Sequence, residues 1–477
     1  MLLVVTDDQG AWALGHQTPE LHTPMLDRLA AEGTSLQRFF CASPVCSPAR
    51  ASLMTGRLPS AHGVHDWLRP EGVEMPQPPG SYLEGIPTIA EVLQDAGYRC
   101  GLIGKWHVGH SHPPAAGYDY WYTHRSGGGP YFGAPIWAFD DQKGRTSTDA
   151  IEASEPRYFS DAIGDQALDF LRRGDCDDMP FFLHLTPTAP HDPWTGGNHP
   201  DELLSLYEHT DFPSVPNGAP HPWFDQEAFR GALEDRHAHL AGYAAAVTGV
   251  DRMLARVLDH LRDSAQLENT IVLFTSDNGF SCGHHGIWGK GNGTWPLNFW
   301  EHSIRVPFIA RGPGIAPGRV REEPVSATSL FSTVMELTGT TAPTDPLRAG
   351  ESVAPLLRET EDSGRNHTAD DESPVVVLDE YGGNRMIRTR RWKYVSRLNG
   401  PTELYDLDAD PGEQLDLSAA PENADVRAHL HEVLLETFAR YGEKGLDGWE
   451  LPVTGRGQRG SIGTDDPAKL FVPRPNS

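Results

Sequence analysis

The stretch LLVVTDDQG, residues 2–10, joins a short apolar run to a group of polar side chains. The run is apolar without strict alternation, which is typical of a strand that is buried on both faces of a parallel sheet. Similar runs recur along the chain: CGLIG (100–104), FFLHL (181–185), TIVLFT (270–275) and VPFIA (306–310). We predict that each of these runs forms a buried parallel strand.

Patterns of helical periodicity lie between these runs, at TPMLDRLAAEG (23–33), TIAEVLQDAGY (88–98), FSDAIGDQALDFLRR (159–173) and the stretch from Arg236 to Leu261. In the first of them, Thr23 is expected to cap the helix, Pro24 to take the first helical position and Gly33 to end it. Strands that alternate with helices predict an α/β fold, with a large, mostly parallel sheet flanked by helices.

The pattern changes after a polar, charged stretch, RETEDSGRNHTADDESP (358–374), which is typical of a linker. The runs VVVLD, RMIRT, KYVSR and ELYDL then predict short strands, and a helix is expected from Val426 to Tyr441. These elements indicate a smaller C-terminal domain of antiparallel α+β type. We therefore predict a catalytic domain at residues 1–365, this smaller domain at 374–450 and an extended tail at 455–477.

The composition excludes several classes of function. With 39 Lys and Arg against 66 Asp and Glu, the net charge is −27, which argues against binding to nucleic acid. No apolar run approaches the roughly 20 residues that a membrane helix needs. The first residues, MLLVV, are too short for a secretory signal and no basic segment precedes them, so we expect a cytoplasmic protein. The alternative is an exported protein whose leader is not part of this sequence.

The five cysteines are odd in number and scattered, so they predict neither a disulfide framework nor a zinc site. They are Cys41, Cys46, Cys100, Cys176 and Cys282.

Polar side chains follow four of the predicted strands. The first strand is followed by Asp7 and Asp8, CGLIG by Lys105 and His107, FFLHL by His191, and TIVLFT by Asp277 and Asn278, with Lys290 a little further along. Ligands bind beyond the carboxyl ends of the strands in an open parallel sheet. We therefore expect these side chains to converge at one edge.

Four of these residues offer only oxygen ligands. Three carboxylates and an amide suit Ca²⁺ or Mg²⁺ and provide no soft donor for zinc; they are Asp7, Asp8, Asp277 and Asn278. The alternative is that they cap helices and turns. A set of cations and imidazoles around them, suited to a tetrahedral oxyanion, consists of Arg50, Lys105, His107, His191 and Lys290.

The stretch PVCSPARASLMTGR, residues 44–57, places a lone cysteine at the start of a short helix. Ser47 is expected to cap this helix, Pro48 suits its first turn and Gly56 suits its end. Cys46 would then lie at the helix N-terminus, where the dipole favours a thiolate. A reactive thiol and a structural cysteine both remain open, and neither explains Pro48 and Arg50.

The pattern Cys-x-Pro-x-Arg at residues 46–50, followed by ASLMTG, resembles the signature of the type I sulfatases, within the alkaline phosphatase superfamily. GYRCGLIGKWH (97–107) is similar to a second signature of that family, with Cys100 in place of the usual hydroxyl residue. We interpret this departure as a change of packing in a strand. ELYDLDADPGEQLDL (403–417) is also typical of sulfatases, so the resemblance extends from residue 2 to about residue 440.

The resemblance implies a modified nucleophile and one metal ion. In this family the signature cysteine, here Cys46, is oxidised to Cα-formylglycine by a formylglycine-generating enzyme, which acts as a partner of the chain. One Ca²⁺, in preference to Mg²⁺, would be held by Asp7, Asp8, Asp277, Asn278 and the modified Cys46.

The resemblance also implies roles for the surrounding residues. A gem-diol formed from the aldehyde would attack sulfur, and the second hydroxyl would later expel sulfate. Arg50, Lys105 and His107 would stabilise and deprotonate the diol. His191 and Lys290 would contact the sulfate and the leaving oxygen, with His191 as the acid.

The sequence says less about the substrate than about the chemistry. Aromatic residues in GYDYWYTHRSGGGPYFGAPIW (117–137) and NGTWPLNFW (292–300) would either stack on a sugar ring or roof the core. His65 and Trp67 are candidate substrate contacts. We expect a small sulfated carbohydrate, desulfated at an accessible end. The alternatives are a phosphonate monoester or phosphodiester hydrolase and a non-catalytic, calcium-dependent sulfate-binding protein. The oligomeric state is left open.

Overall fold

The computed structural model of the chain describes residues 1–69, 81–140, 151–174, 179–358, 374, 376–378, 380–463 and 467–473. The strands are β1 (Leu2–Thr6), β2 (Thr34–Leu36), β3 (Phe39–Phe40), β4 (Arg99–Gly104), β5 (Tyr120–His124), β6 (Ala134–Asp140), β7 (Ile151–Glu155), β8 (Phe181–Thr186), β9 (Val272–Ser276), β10 (Ser281–Cys282), β11 (Trp288–Gly289), β12 (Arg305–Val306), β13 (Phe308–Arg311), β14 (Arg319–Arg321), β15 (Val325–Ser326), β16 (Val376–Leu378), β17 (Asn384–Arg388), β18 (Trp392–Arg397) and β19 (Glu403–Asp406).

The helices are α1 (Pro24–Glu32), α2 (Cys46–Thr55), α3 (Pro59–His62), α4 (Ile89–Asp95), α5 (Phe159–Arg173), α6 (Asp201–Leu204), α7 (Arg230–Glu234), α8 (Arg236–Asp263), α9 (Glu301–Ile304), α10 (Ser329–Thr338), α11 (Ala354–Arg358), α12 (Ala424–Tyr441) and α13 (Pro467–Leu470). No helix in the described ranges has the length and apolar character to span a membrane.

A large sheet organises most of the chain, in the strand order β14-β2-β13-β9-β1-β8-β4-β5-β6-β7. The five strands in its middle, β9, β1, β8, β4 and β5, are parallel. The predicted fold class is confirmed. The prediction for VPFIA was wrong, because β13 runs antiparallel to β9. Burial on both faces makes a strand apolar in either direction, so the run alone does not report its orientation.

Both faces of the sheet are covered, which explains why β1 does not alternate. Leu2 and Val4 belong to a core cluster with residues of α1, α5 and α8. Leu3 and Val5 belong to a second cluster with residues of α2, α4 and α10. Successive strand side chains point to opposite faces, so each face of β1 needs apolar residues.

The predicted helix boundaries agree with the structure more closely than the predicted caps do. Thr88 forms a reciprocal capping box with Glu91 at the start of α4. The Thr23 side chain makes no cap hydrogen bond at α1, although Pro24 and Gly33 take their expected positions.

The prediction that Ser47 caps the nucleophile helix was wrong. Helix α2 already begins at Cys46, with Val45 in the cap position, so Ser47 lies inside the first turn. Its hydroxyl instead accepts a hydrogen bond from the main-chain N–H of Leu68 at 3.0 Å. Gly56 ends the helix as expected, at φ 72° in the left-handed region.

A second, antiparallel sheet has the order β16-β17-β18-β19. Helix α12 covers it through Leu430, Leu434 and Phe438, which pack with Ile387 and Leu404. Most of the predicted linker, residues 359–373, lies outside the described residues, and the domain boundaries stay a prediction. The tail is not simply extended, since it carries α13 and buries Gln458 completely.

Candidate active site

The tips of β1 and β9 bring three carboxylates together. Oxygen atoms of Asp7, Asp8 and Asp277 all lie within 4.8 Å of one another. The main-chain N–H of Asp8 donates to Asp277 Oδ1 at 3.3 Å. Asp8 adopts φ 63°, a region that Asp and Asn tolerate better than most residues and that marks functional turns. The predicted convergence of these strand tips is therefore observed.

Asn278 completes this acidic cluster with an oxygen that lacks a partner. Its Nδ2 donates to Asp8 Oδ1 at 2.7 Å and to the Gly279 carbonyl at 2.9 Å. Its Oδ1 is buried and makes no hydrogen bond within the described residues. A buried polar atom without a partner is costly, and a cation would satisfy it. Three carboxylates and a free amide oxygen therefore fit a hard divalent cation.

Three buried cations surround the carboxylates. Lys105 Nζ lies 2.6 Å from Asp7 Oδ2, and Arg50 Nε lies 2.8 Å from Asp277 Oδ2. Arg50 also donates to the Lys105 carbonyl at 3.1 Å, and Lys290 forms an ion pair with Asp8. Buried charges persist when they are paired and hydrogen-bonded, as these are.

The charges set the protonation of the acidic cluster. Burial acts against ionisation of Asp7, but Lys105 and His191 outweigh it and lower the pKa of the Asp7 carboxyl. Burial is likewise outweighed at Asp8, mainly by Lys290, and its pKa is lowered. At Asp277 burial prevails over Arg50 and raises the pKa. Nearby opposite charges thus lower the pKa of Asp7 and Asp8, whereas desolvation raises the pKa of Asp277.

Cys46 lies at the first position of α2 and is only 3% exposed. Its Sγ lies 3.4 Å from Asp7 Oδ1 and 2.9 Å from Lys290 Nζ. Burial, together with Asp7, raises the pKa of this thiol to about 12. A reactive thiolate at the helix N-terminus is therefore not favoured. The thiol itself is unreactive here, but residue 46 is placed where a nucleophile would contact the acidic cluster and Lys290.

Two imidazoles line the cavity. His107 Nε2 lies 3.1 Å from the Leu68 carbonyl, and burial lowers the pKa of this ring well below its usual value. His191 Nε2 lies 3.8 Å from Asp8 Oδ2, and its Nδ1 lies 3.1 Å from Asp192 Oδ1. Burial alone would lower the pKa of His191, but the carboxylates of Asp192, Asp7 and Asp8 raise it.

These groups open into a cavity of about 440 Å³. Its lining consists of Val45, Cys46, Trp67, Leu68, His107, Ser126, Gly127, Gly128, Gly129, His191, Asp192, Pro193, Lys290 and Asn292. Asp192, Asn292 and the glycine run are contacts that the sequence analysis did not select. The Asp-Pro pair directly after His191 is evident in the sequence, but its spacing does not predict that it lines a cavity.

The aromatic residues expected near the rim mostly belong to the core. Tyr118, Trp121, Phe299 and Trp300 are buried within hydrophobic clusters or against other rings. In the stretch 117–137 it is Ser126 and the glycine run that reach the cavity. The interpretation that the rings roof the core is therefore the one that these side chains support.

Of the two candidate substrate contacts, Trp67 lines the cavity and His65 does not. The His65 side chain is fully buried, and its Nε2 lies 2.7 Å from the Leu446 carbonyl. Its selection as a substrate contact was wrong, because the ring faces the C-terminal part of the chain. Cys100 is buried in β4, consistent with the packing role proposed for it.

A buried nucleophile position beside an acidic cluster with cations, at the carboxyl edge of a parallel sheet, defines an enzyme that acts on a tetrahedral oxyanion. The sequence profile of the sulfatase family matches residues 1–340, and a profile described as "N-sulphoglucosamine sulphohydrolase, C-terminal" matches residues 285–440. The chain therefore belongs to the sulfatase family of the alkaline phosphatase superfamily and is a sulfuric ester hydrolase.

Individual relatives agree with this assignment. N-acetylgalactosamine-6-sulfatase of Canis lupus familiaris is 29% identical, over 91% of this chain and 84% of its own length. Choline-sulfatase of Rhizobium meliloti (strain 1021) is 30% identical, over 84% of this chain and 78% of its own length.

Two solved structures share the fold at 22% sequence identity. One is a protein in complex with its substrate D-glucosamine-2-N,6-O-disulfate, with a TM-score of 0.75 over 92% of this chain and 97% of that chain. The other is the phosphonate monoester hydrolase of Agrobacterium radiobacter, with a TM-score of 0.69 over 92% of this chain and 95% of that chain.

Proposed function

We propose that this sulfatase hydrolyses a sulfate monoester carried by a small carbohydrate. The observation that carries the proposal is the position of Cys46 in the lining of a cavity, in contact with Asp7 and Lys290. The relatives named after sugar sulfates support the choice of a carbohydrate. A cavity of about 440 Å³ suits a small substrate, or the sulfated end of a carbohydrate.

The nucleophile in this proposal derives from Cys46. Formylglycine at this position would supply a hydrated aldehyde, whose second hydroxyl can expel sulfate and regenerate the aldehyde; a thiol, which burial keeps protonated here, offers no such release. The segment recognised by the modifying enzyme is present as Cys46, Pro48 and Arg50. In the folded chain this segment is buried in α2, so we expect modification to precede folding.

One calcium ion is proposed at the acidic cluster. Asp7, Asp8, Asp277 and the partnerless Oδ1 of Asn278 would hold it, and it would neutralise the sulfate oxygens. The donors come from two irregular strand tips, which suits the flexible coordination of Ca²⁺ better than the strict octahedron of Mg²⁺.

The remaining residues position charge and protons. Lys105 and Arg50 hold the carboxylates of Asp7 and Asp277 in place, and Lys290 brings a cation to within 2.9 Å of the nucleophile position. Donors fixed in a dry site stabilise developing charge more strongly than water does. Since the Nδ1 of His191 is engaged by Asp192, its Nε2 is the nitrogen that passes a proton to the leaving oxygen.

A phosphonate monoester hydrolase is the second candidate, because two structural neighbours carry that name. Sulfate and phosphonate monoesters are both tetrahedral anions, so the same acidic cluster and cations accept either. The relative values of kcat/KM on matched sulfate and phosphonate esters decide between them. A higher kcat/KM on the phosphonate would overturn the proposal.

The decisive experiment combines mass spectrometry with turnover. The chain is produced with and without a formylglycine-generating enzyme, and the peptide that contains Cys46 is weighed. Modification replaces sulfur and two hydrogens by one oxygen, so the peptide becomes lighter. We expect sulfate ester turnover only in the modified preparation, and Cys46→Ala as the control in neither. Turnover that is equal in both preparations contradicts the proposed nucleophile.

Calcium is tested on the modified preparation. Removal by a chelator is expected to abolish turnover and to lower the melting temperature, because a bound ligand stabilises the native state. Ca²⁺ should restore both properties at lower concentration than Mg²⁺. Unchanged melting after complete chelation contradicts a metal at this cluster.

A further inference from the structure

One wall of the cavity is a short irregular segment at residues 65–69, which contacts both the nucleophile helix and His107. Trp67 and Leu68 line the cavity. The main-chain N–H of Leu68 donates to Ser47 Oγ at 3.0 Å, one residue after Cys46. The carbonyl of the same residue lies 3.1 Å from His107 Nε2. A displacement of this wall therefore disturbs the nucleophile helix and the His107 ring together.

The carbonyl of Leu68 also determines the state of the His107 ring. A carbonyl can only accept, so Nε2 must carry the hydrogen in this contact. In a neutral ring the lone pair then lies on Nδ1, which is buried and has no hydrogen-bond partner in the described part of the chain. The wall thus leaves Nδ1 as the nitrogen that is free to accept a proton in the site.

The wall is held by the C-terminal tail, through Gln458. Leu68 and Gln458 form an isolated parallel bridge, in which Gln458 N–H donates to the Trp67 carbonyl at 2.8 Å and Arg69 N–H donates to the Gln458 carbonyl at 3.0 Å. Both partners lie outside the two large sheets. This pairing therefore replaces the regular strand contacts that the segment lacks.

The Gln458 side chain is fully buried and uses all of its hydrogen-bonding groups. Its Oε1 accepts from the N–H groups of His65 at 2.9 Å and Asp66 at 3.4 Å. Its Nε2 donates to the carbonyls of Gly63 at 3.0 Å and Gly460 at 2.9 Å. One amide thus ties the tail to two residues of the wall and to Gly63 just before it, and no apolar side chain of the same size can reproduce these contacts.

The tail is anchored in turn. Arg459 N–H donates to the Leu470 carbonyl at 2.6 Å, and Val472 N–H donates to the Gly457 carbonyl at 3.0 Å. Leu470 and Phe471 pack in a hydrophobic cluster with Val45, the residue before Cys46. The tail therefore reaches the nucleophile helix by a second, apolar route.

We propose that Gln458 is a positioning residue for catalysis, which acts through Leu68 on the orientation and tautomer of His107. The inference rests on the proposed function for the statement that His107 takes part in the reaction. It goes beyond that function by assigning a catalytic task to the C-terminal tail.

The test replaces Gln458 by methionine, which keeps the size of the side chain and removes its polar atoms. Because a misplacement of about 1 Å can cost roughly 100-fold in rate, we expect kcat to fall by about that factor, while KM changes little. Arg459→Ala is the matched control, because Arg459 is the neighbouring residue and its side chain is exposed. This variant should retain full kcat. A fall in kcat that is no larger than the fall in the folded fraction would mean a purely structural role.

A second measurement does not depend on turnover. Nuclear magnetic resonance of isotope-labelled histidine reports which ring nitrogen carries the hydrogen, with His107 assigned from a His107→Gln variant. We expect the hydrogen on Nε2 in the wild type and a mixture of tautomers in Gln458→Met. An unchanged ring signal in a folded Gln458→Met overturns the inference.

Asp66→Asn provides a milder perturbation if Gln458→Met does not fold. Asp66 accepts from Trp67 N–H at 2.7 Å and from Gly457 N–H at 2.9 Å, and asparagine keeps only one of these acceptors. A partial shift of the His107 tautomer supports the inference, and no shift in this variant overturns it. Absence of sulfate turnover in the wild type would instead count against the proposed function, because the ring signal is read without substrate.

Discussion

Glycines, rather than aromatic rings, shape the cavity next to its two imidazoles. A Cβ atom added at Gly127 would lie 2.3 Å from Cε1 of His107, and one added at Gly128 would lie 3.1 Å from the ring of His191. Real Cβ atoms do not approach other atoms as closely as the first of these distances. The run Gly127–Gly129 therefore allows the loop to close over the histidines.

Gly127→Ala is expected to lower kcat/KM by roughly 10- to 100-fold, because the His107 ring has to move away from the Leu68 carbonyl. The melting temperature should change little, since only a side chain at the cavity is displaced. Kinetics on a sulfate ester and a thermal melt check both statements. Gly218→Ala is the control, as a Cβ there meets nothing within 4 Å. Equal kcat/KM for the two variants would refute the role of Gly127.

At the residue scale, the acidic groups at the strand tips were predictable from the sequence, whereas some of the cavity residues on loops were missed. Asp7 and Asp277 follow buried strands directly, so the rule for parallel sheets places them at one edge. Asp192 and Asn292 reach the cavity through irregular loops, whose course depends on long-range packing. His65 and Trp67 were selected because both follow the nucleophile helix closely in the sequence, yet only Trp67 lines the cavity.

The N-terminus of α1 is capped by a residue that is distant in sequence. The first turn of α1 has no side-chain cap from Thr23, and Asp251 of α8 supplies one. Its Oδ1 accepts from Leu26 N–H at 2.7 Å, and its Oδ2 accepts from Met25 N–H at 3.2 Å. The boundaries of α1 were predictable because Pro24 and Gly33 are local signals. The cap was not, because it depends on how two helices pack.

The Asp251 contact predicts a pH dependence of stability. Burial, the largest effect, raises the pKa of this carboxyl to about 6 in the folded chain, above its ordinary value of 3.8. A group whose pKa is raised by folding contributes stability that is fully present below the unfolded pKa and is lost as the pH rises through the folded pKa. For Asp251 this loss falls between about pH 4 and pH 6.

Asp251→Asn removes this titration while keeping an acceptor. The free energy of unfolding of the variant relative to the wild type is expected to rise by about 3 kcal/mol between pH 4 and pH 7, from roughly two pKa units at 1.4 kcal/mol each. Denaturant unfolding at a series of pH values measures this difference. A flat profile for Asp251→Asn would contradict the assignment.

At the scale of the whole molecule, the second sheet supports the loop that carries Lys290. Arg397 donates to the Leu297 carbonyl at 2.8 Å, and Asn298 Nδ2 donates to the Lys290 carbonyl at 3.0 Å. Lys393 of β18 donates to the Phe299 carbonyl at 3.0 Å. The C-terminal sheet therefore contributes to the active site through main-chain contacts, which neither the strand pattern nor the family signatures report.

One of these links involves a buried charge cluster. Lys393 is fully buried and pairs with Glu301 of α9 at 2.8 Å and with Glu413. Glu413 also accepts from Glu301 N–H at 2.7 Å, and Arg388 lies 3.3 Å from Glu301 Oε1. Burial, the largest effect, raises the pKa of Glu413 to about 7 even though Lys393 opposes it. Removal of Lys393 would therefore leave two buried carboxyl groups without the cation that pairs with both of them.

Lys393→Met is expected to lower the free energy of unfolding by about 3–5 kcal/mol, which is the usual cost of removing one partner from a buried ion pair. Because the cluster holds the segment from Lys290 to Glu301, the folded variant should also lose kcat. Lys444→Met, on an exposed turn, should change the unfolding free energy by less than about 0.5 kcal/mol. Denaturant unfolding and sulfate ester kinetics on the same samples measure both effects. If Lys393→Met were destabilised to this extent but kept full kcat, the second sheet would stabilise the fold without positioning Lys290.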